Sequence, residues 1–353
     1  MPAFWKKKQF WGSLIAIILL AYCVKDIRLE DMRRLCERVN FYFLIPSLAM
    51  EFLMIIFKAV RWKTIVEKVK RIKFFRVLFL FSAGQVINIV MPALTGQVGR
   101  LLLFSKREDL SKSYVFSTIV IEVLFDSISM LLFILALSIT SFVIPPEYRS
   151  ISIIIGVVTV SMIILLYLIL HFQDSLGRFG RRVMRGRWPG LYITLKKFSY
   201  SFTKGIGLLR SSQYFSRTLL LSLGSWAAHA AVVYFLFRAF GFELPFIAAI
   251  VVMVINTVAL MVPITPGNAG TFELAVVASL LAFKIVKSDA VLFALALHIL
   301  DMIPIFVMGF LFLHSERLSI KEIEEAGGKE ELMEQMEKAG LLGDEGKGEP
   351  NSR

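Results

Sequence analysis

The sequence predicts an all-α, polytopic membrane protein of about six spanning helices plus two re-entrant helical hairpins in an inverted repeat. Three observations carry that reading: the apolar composition, the way charge is distributed along the chain, and a proline–glycine motif that occurs twice. Of the 353 residues, 57% are apolar even before the 22 glycines are counted, against about 45–50% with glycine included in a typical soluble domain. Charged residues make up 19%, mean hydropathy is +0.70 and phenylalanine alone contributes 31 residues. Most of the chain can therefore be solvated only by lipid or by itself. Two cysteines, Cys23 and Cys36, with no CxxC and no Cys/His cluster, exclude a disulfide scaffold and a structural zinc site.

The net charge of +13 is unevenly placed. Residues 315–353 hold eleven acidic and six basic residues, so this acidic tail carries −5 and the preceding 314 residues carry +18. Segment 61–76 has seven basic residues and one acid, and segment 173–217 has ten and one. Lys and Arg are retained on the cytoplasmic side, so both segments are expected there, as is the N-terminus with Lys6, Lys7 and Lys8. Segment 25–40, with five basic and four acidic residues, and the nearly uncharged 144–149 and 241–245 are expected outside.

The apolar runs are 10–24, 41–60, 77–104, 113–143, 151–172, 218–240, 246–283 and 290–314. The first follows a basic cluster as a signal peptide would, but no small-x-small cleavage site comes after it, so it is read as a helix. Run 77–104 lies between Lys70, Arg71, Lys73 and Arg76 on one side and Lys106, Arg107 and Lys112 on the other. Both ends thus share a side. In its middle stand Asn88, Pro92, Gly96 and Gly99, which bend or break helices and free backbone groups. Such backbone is tolerated at membrane depth only inside protein or beside a wet cavity, so the run is read as a re-entrant hairpin.

The interruption recurs. Pro92, Gly96 and Gly99 are matched by Pro263, Gly267 and Gly270 at a constant offset of 171 residues, each set preceded by an asparagine, Asn88 or Asn256. Each is followed by an apolar helix with polar groups on one face, Glu122 and Asp126 in the first half, His298 and Asp301 in the second. Counting crossings from a cytoplasmic N-terminus, run 246–283 enters from the opposite side. The first half is then about 41–172, the second about 218–314, joined by a basic amphipathic connector at 173–217 within a transmembrane domain of residues 1–314. Inverted halves with broken helices at the midplane are a transporter design, because exchanging their conformations exchanges the side from which a central site is reached.

Arg61-Trp62, Gly84-Gln85-x-x-Asn88-x-x-x-Pro92-x-x-x-Gly96-Gln97-x-x-Arg100, Glu122-x-x-x-Asp126 and Pro266-Gly267-Asn268-Ala269-Gly270-Thr271-Phe272-Glu273 together resemble the lysylphosphatidylglycerol synthase/flippase transmembrane-domain family, whose members are also called flippase-like or UPF0104 membrane proteins. The resemblance covers roughly residues 10–314. This chain has Gln97 where the family pattern has a glutamate, and Val123 where it has an arginine. The bifunctional synthases of the family also carry a soluble aminoacyltransferase domain; 39 residues follow the last apolar run here, so synthase activity is not implied.

Buried charges are costly and usually face a partner, water or a bundle interior. Arg61, Asn88, Arg100, Glu122, Asp126, Asn256, Glu273, His298 and Asp301 are accordingly the candidate substrate or transport residues, and Pro92, Gly96, Gly99, Pro263, Pro266, Gly267 and Gly270 the hairpin backbone. Arg100 reads either as a phosphate clamp, through its planar fork, or as the salt-bridge partner of an acid. Glu122 and Asp126 read as proton relays, contacts for an amine headgroup, or structural partners of Arg100 or Arg61. Glu273, with charge opposite to Arg100 at a related place, suggests a pair or a zwitterion-binding cavity. His229 has no partner at ligand spacing and no metal site is expected; Glu51 and Lys58 read as bundle-lining or interfacial.

The expected function is a flippase or exchanger moving an anionic phospholipid or polyprenyl-phosphate-linked headgroup across the cytoplasmic membrane, with both termini cytoplasmic. The alternatives are a membrane-embedded enzyme acting on lipid headgroups and an accessory subunit of an envelope-lipid enzyme. No Walker motif supports ATP hydrolysis, no catalytic signature joins the polar residues, and no cofactor is expected. The expected partners are membrane lipids, with a second copy of the chain or an envelope-lipid enzyme left open, and no nucleic acid.

Overall fold

The computed structural model describes residues 8–25, 37–67, 69–90, 94–139, 211–260 and 265–315, with positions 30, 33, 157, 160, 161 and 164. Among these the regular structure is helical: α1 (Lys8–Val24), α2 (Leu44–Val66), α3 (Phe74–Val90), α4 (Leu94–Glu108), α5 (Lys112–Ile139), α6 (Ser212–Ala239), α7 (Phe246–Ala259), α8 (Thr271–Ala282) and α9 (Lys287–Ser315). Single 3-10 turns at Phe41–Phe43 and Pro266–Asn268 precede α2 and α8. Four helices, Phe41–Val66, α5, α6 and α9, are long and apolar enough to cross a bilayer, and the chain is a multi-pass membrane protein. All but positions 157, 160, 161 and 164 of the expected span at 151–172, most of the connector, the tail after Ser315, and Pro92 and Pro263 fall outside the described residues.

The first arm of each hairpin is short. At about 1.5 Å per residue, the 14 residues of α7 reach about 21 Å and the 17 of α3 about 26 Å, short of the about 30 Å hydrocarbon core. Each arm is followed after a break by a second short helix, α4 or α8. Where the first hairpin returns, Arg76 Nε donates to Glu108 Oε1 (2.6 Å) and Lys70 Nζ donates to the Glu108 carbonyl (2.7 Å), joining the start of α3 and the chain just before it to the end of α4. In the second, Phe283 after α8 packs in one cluster with Ile247 and Val251 of α7. Both runs return to their point of entry.

The two halves interlock through their arms. Val86 of α3 is buried with Met308 and Phe312 of α9, the helix following the other hairpin. Reciprocally, Met253 and Val254 of α7 pack on Met130 and Ile134 of α5. The α3–α9 approach depends on Gly309, where a Cβ would lie 2.5 Å from Val86 Cγ2 and 2.9 Å from the Ser82 carbonyl oxygen. α2 and α6 run antiparallel: Ser47 donates to the Val232 carbonyl at one end (3.0 Å) and Arg61 reaches Ser222 at the other.

Two expectations are refined. Arg61 stands both in the basic segment 61–76 and among the buried candidates, and the structure assigns it to the second place, since α2 continues to Val66 and leaves Arg61 only 2% exposed. Arg61 belongs to the core because Asp126 compensates its charge there. The constant offset of the glycine motif also does not mark equivalent places. Gly96 and Gly99 lie within α4, whereas Gly267 and Gly270 precede α8 with φ of +58° and +84°. The halves repeat as helix–break–helix elements, while the glycines answer different needs: left-handed turns in the second half, helical positions in the first.

Single cysteines at positions 70 and 106, introduced after replacing Cys23 and Cys36, are expected to label from the same side of the membrane; labelling from opposite sides would refute the returning hairpin. Gly309→Val is expected to destabilise the α3–α9 contact by about 1–3 kcal/mol, read as a lower unfolding temperature of the detergent-purified protein; an unchanged temperature would exclude tight packing there.

Candidate functional site

Residues of both hairpins line the same interior space. A cavity of about 450 Å³ is lined by Gln85, Asn88 and Gln97 of the first hairpin and by Asn256, Thr257, Gly267, Asn268 and Phe272 of the second. Glu51 and Lys58 of α2, Asp126 of α5, Trp226 and His229 of α6, and His298 and Asp301 of α9 complete its polar wall, with Met54, Phe81 and Ile305 between them. Amide, carboxylate, ammonium and imidazole groups thus converge at the depth where helices stop.

Asp126 is held by three donors. Both terminal nitrogens of Arg61 donate to it, Nη2 to Oδ2 at 3.1 Å and Nη1 to Oδ1 at 2.5 Å, and Trp226 Nε1 donates to Oδ1 at 2.9 Å. Arg61 Nη1 also donates to Ser222 Oγ. The bidentate fork fixes the carboxylate plane, so α2, α5 and α6 are clamped together beside the cavity. The adjacent Trp62 sends its indole N–H to Thr118 Oγ1 at 3.2 Å and packs on Phe104 with ring centroids 4.4 Å apart. Arg61-Trp62 therefore joins α2 to α4, α5 and α6.

Arg100 stands elsewhere. Its Nη2 donates to Glu122 Oε2 at 2.5 Å, its guanidinium lies 5.0 and 5.2 Å from the ring centroids of Phe81 and Phe104, and it is 4% exposed. Neither Arg100 nor Glu122 lines the cavity. Gly84 makes room for this arrangement, since a Cβ there would come within 2.9 Å of Phe104 and 3.0 Å of Arg100. The i,i+4 acids of α5 thus take separate arginines, Glu122 with Arg100 and Asp126 with Arg61.

The second hairpin is braced by Glu273. Its Oε2 accepts from the Gly270 N–H at 2.7 Å, closing the first turn of α8, while Oε1 lies 2.7 Å from His298 Nδ1. His298 Nε2 lies 3.1 Å from the Gly267 carbonyl oxygen, which can only accept, so Nε2 carries the hydrogen. A single proton therefore occupies the Nδ1–Oε1 contact, and the His298–Glu273 unit is neutral wherever that proton rests. Phe272 stacks on the imidazole at 4.2 Å. Gly270 is pressed on α1, where a Cβ would lie 2.7 Å from Leu19 Cβ and 2.9 Å from the Ala16 carbonyl. The expected Arg100–Glu273 pairing does not form: each side chain takes a partner within its own half.

Asn88, Asp126, Asn256, Gly267, His298 and Asp301 are brought to the cavity as a group, Arg61 and Glu273 orient two of them from behind, and Arg100 and Glu122 form a separate pair. Glu51, Lys58, Trp226 and His229 were not among the candidates. Glu51 is 0% exposed within an apolar helix, a signal the sequence carried. His229 does have partners at ligand spacing: Nδ1 lies 3.6 Å from Glu51 Oε2 and 3.9 Å from Asp301 Oδ1, contacts made across three helices that local spacing could not display. Lys58 has no ion-pair partner among the described residues, and its ammonium sits 5.1 Å over the Trp226 ring.

Arg100→Ala is expected to destabilise the purified protein by about 3–5 kcal/mol, because it strands the Glu122 carboxylate in the interior. Arg100→Ala/Glu122→Gln is expected to recover most of that loss, since neither partner then leaves an unpaired charge. Thermal unfolding of both variants measures the difference; equal destabilisation would refute a simple structural pair.

Residues 9–309 match the family model described as the lysylphosphatidylglycerol synthase TM region. A UPF0104 membrane protein of Pyrococcus horikoshii is 22% identical over 336 residues, covering 89% of this chain and 99% of the relative. Two UPF0104 membrane proteins of Methanocaldococcus jannaschii are 26% identical over 239 residues, covering 67% of this chain and 97% of the relative, and 22% identical over 333 residues, covering 90% and 96%.

Proposed function

Because the chain belongs to the family of the lysylphosphatidylglycerol synthase TM region, we propose that it is a membrane lipid translocator, a flippase or exchanger that moves an anionic phospholipid or a polyprenyl-phosphate-linked headgroup through the cavity between its two halves. The observation that carries this reading is the polar cavity that residues of both hairpins line. Its about 450 Å³ falls in the range that accommodates a small ligand, about 300–1,000 Å³, which suits a headgroup whose acyl chains stay in lipid. Hairpins that enter from opposite sides and pack on each other's following helix are suited to alternating access.

Within that cavity the charge that meets a phosphate is Lys58. Among the described residues its ammonium has no carboxylate partner, whereas the Arg61 fork is occupied by Asp126 and the Arg100 fork is turned to Glu122. The amides of Gln85, Asn88, Gln97, Asn256 and Asn268 supply neutral donors and acceptors for the remainder of a headgroup. The basic segments 67–76 and 173–217 support a reading in which the membrane is the cytoplasmic one and both termini face the cytoplasm.

Purified protein in liposomes containing phosphatidylglycerol labelled on its headgroup-proximal chain tests the proposal, transfer being read as the fraction of label protected from an impermeant quencher. Leaflet transfer above that of protein-free liposomes is expected. Lys58→Ala is expected to slow it about tenfold or more, the consequence of losing one hydrogen bond to a charged group worth about 1.5–3 kcal/mol. Transfer no faster than in empty liposomes would overturn the proposal, and conversion of the headgroup without transfer would favour a membrane-embedded enzyme.

A further inference from the structure

We propose that Glu51, His229 and Asp301 form a binding site for a divalent transition-metal ion of the zinc class, open on one side to the cavity. The three residues come from α2, α6 and α9, and one donor atom of each lies within 4.8 Å of the other two. Donors separated by 3.6 Å, 3.9 Å and at most 4.8 Å fit around one ion with bonds of about 2.0–2.5 Å, the range of imidazole and carboxylate ligands.

The second observation is that these donors have nothing else to bind. Glu51 Oε1 and Oε2, His229 Nδ1 and Asp301 Oδ1 are all buried without a hydrogen-bond partner, and Glu51 and His229 are 0% and 7% exposed. Four converging acceptor positions differ in kind from the neighbouring His298–Glu273 unit, whose imidazole is engaged at both nitrogens. A proton joins only two of the four, and a water molecule donates only two hydrogens. A cation takes all of them at once, with Nδ1 of His229 contributing its lone pair as neutral imidazole. Lys58 does not fill that role, since its ammonium is directed over the Trp226 ring.

The donor set selects the ion class. One imidazole nitrogen with two carboxylates suits zinc and its first-row neighbours better than the all-oxygen shells preferred by magnesium and calcium. Three protein ligands with the fourth side open is the arrangement of a reactive or exchangeable zinc, whereas closed four-ligand shells are structural. Here the open side is the cavity, which all three residues line. Two carboxylates and one lysine give this part of the wall a formal charge of −1, and a divalent ion changes it to +1. The site rests on its own geometry and holds whether or not a lipid crosses the cavity.

The test is direct. Detergent-purified protein, isolated through a tag without histidine and stripped with a chelator, is dialysed against Zn²⁺, and bound metal is measured by elemental analysis. One Zn²⁺ per chain is expected, with an unfolding temperature that rises with zinc concentration. His229→Gln and Asp301→Asn, which keep size and hydrogen-bonding capacity, are each expected to weaken binding at least about tenfold, the lower end of the loss seen when even an outer-shell partner is removed. His298→Gln, a change to the other cavity histidine, is expected to retain one Zn²⁺ per chain. No bound zinc in the wild-type chain, or zinc retained undiminished by both ligand variants, overturns the proposal. If a ligand variant unfolds when stripped, the binding isotherm of the other decides.

Discussion

The Arg61–Asp126 ion pair is the contact on which the arrangement of the membrane core depends. A charged side chain at membrane depth costs at least about 2.5–3.5 kcal/mol on insertion scales, so an arginine 2% exposed inside a spanning helix has to find its carboxylate there. The bidentate fork ties α2 to α5, while Ser222 and the Trp226 indole bring α6 to the same point. Because α2 and α6 run antiparallel along their length, holding them here also sets where Glu51 meets His229 further along the same seam. One pairing thus positions groups several turns away.

A second constraint acts on the broken backbone. The turn before α8 places two glycines at positive φ, and its free groups are taken up by side chains: Glu273 accepts the Gly270 N–H, His298 donates to the Gly267 carbonyl, and Thr271 Oγ1 donates to the Asn268 carbonyl at 2.8 Å. These bonds make the hairpin tip a braced turn. In hydrocarbon an unsatisfied backbone group is costly, which explains why an acid and a histidine from another helix are committed to a turn and not to a ligand. Pro304 adds a further opening in α9 itself, since it removes the amide that the Leu300 carbonyl would otherwise accept, close to Asp301.

Much of this was legible in the sequence. Apolar runs located the helices, because length and hydropathy are local properties, and the charges around run 77–104 pointed to a return that the Arg76–Glu108 and Lys70–Glu108 contacts make visible. Asn88, Asp126, Asn256, His298 and Asp301 were singled out as polar residues in apolar surroundings, and all line the cavity. What the sequence did not settle was which partner each group takes across helices. Glu122 and Asp126 could each pair with Arg61 or Arg100, and only the packing of α2, α4 and α5 assigns Asp126 to Arg61, 65 positions away, and Glu122 to Arg100. Gly309 carried no motif, yet α3 approaches through it. The matched glycines were equal in spacing and unequal in backbone, since spacing does not report φ.

His298 and Asp301 show where periodicity stops being informative. Three residues apart on α9, they share a face, and both reach the cavity. Their partners nevertheless diverge. His298 turns to the hairpin, bonded to Glu273 and Gly267, while Asp301 turns to the α2–α6 seam and His229. The same division runs through the buried charged groups of the described residues: Arg61 with Asp126, Arg100 with Glu122, Glu108 with Arg76 and Lys70, and His298 with Glu273 are matched inside the protein, and Glu51, His229 and Asp301 gather without such a match. A buried charge by itself marks only a cost that has been met somewhere. The groups whose cost is not met by the chain's own residues are the ones that leave chemistry for a ligand to complete, and they line the cavity that both hairpins share.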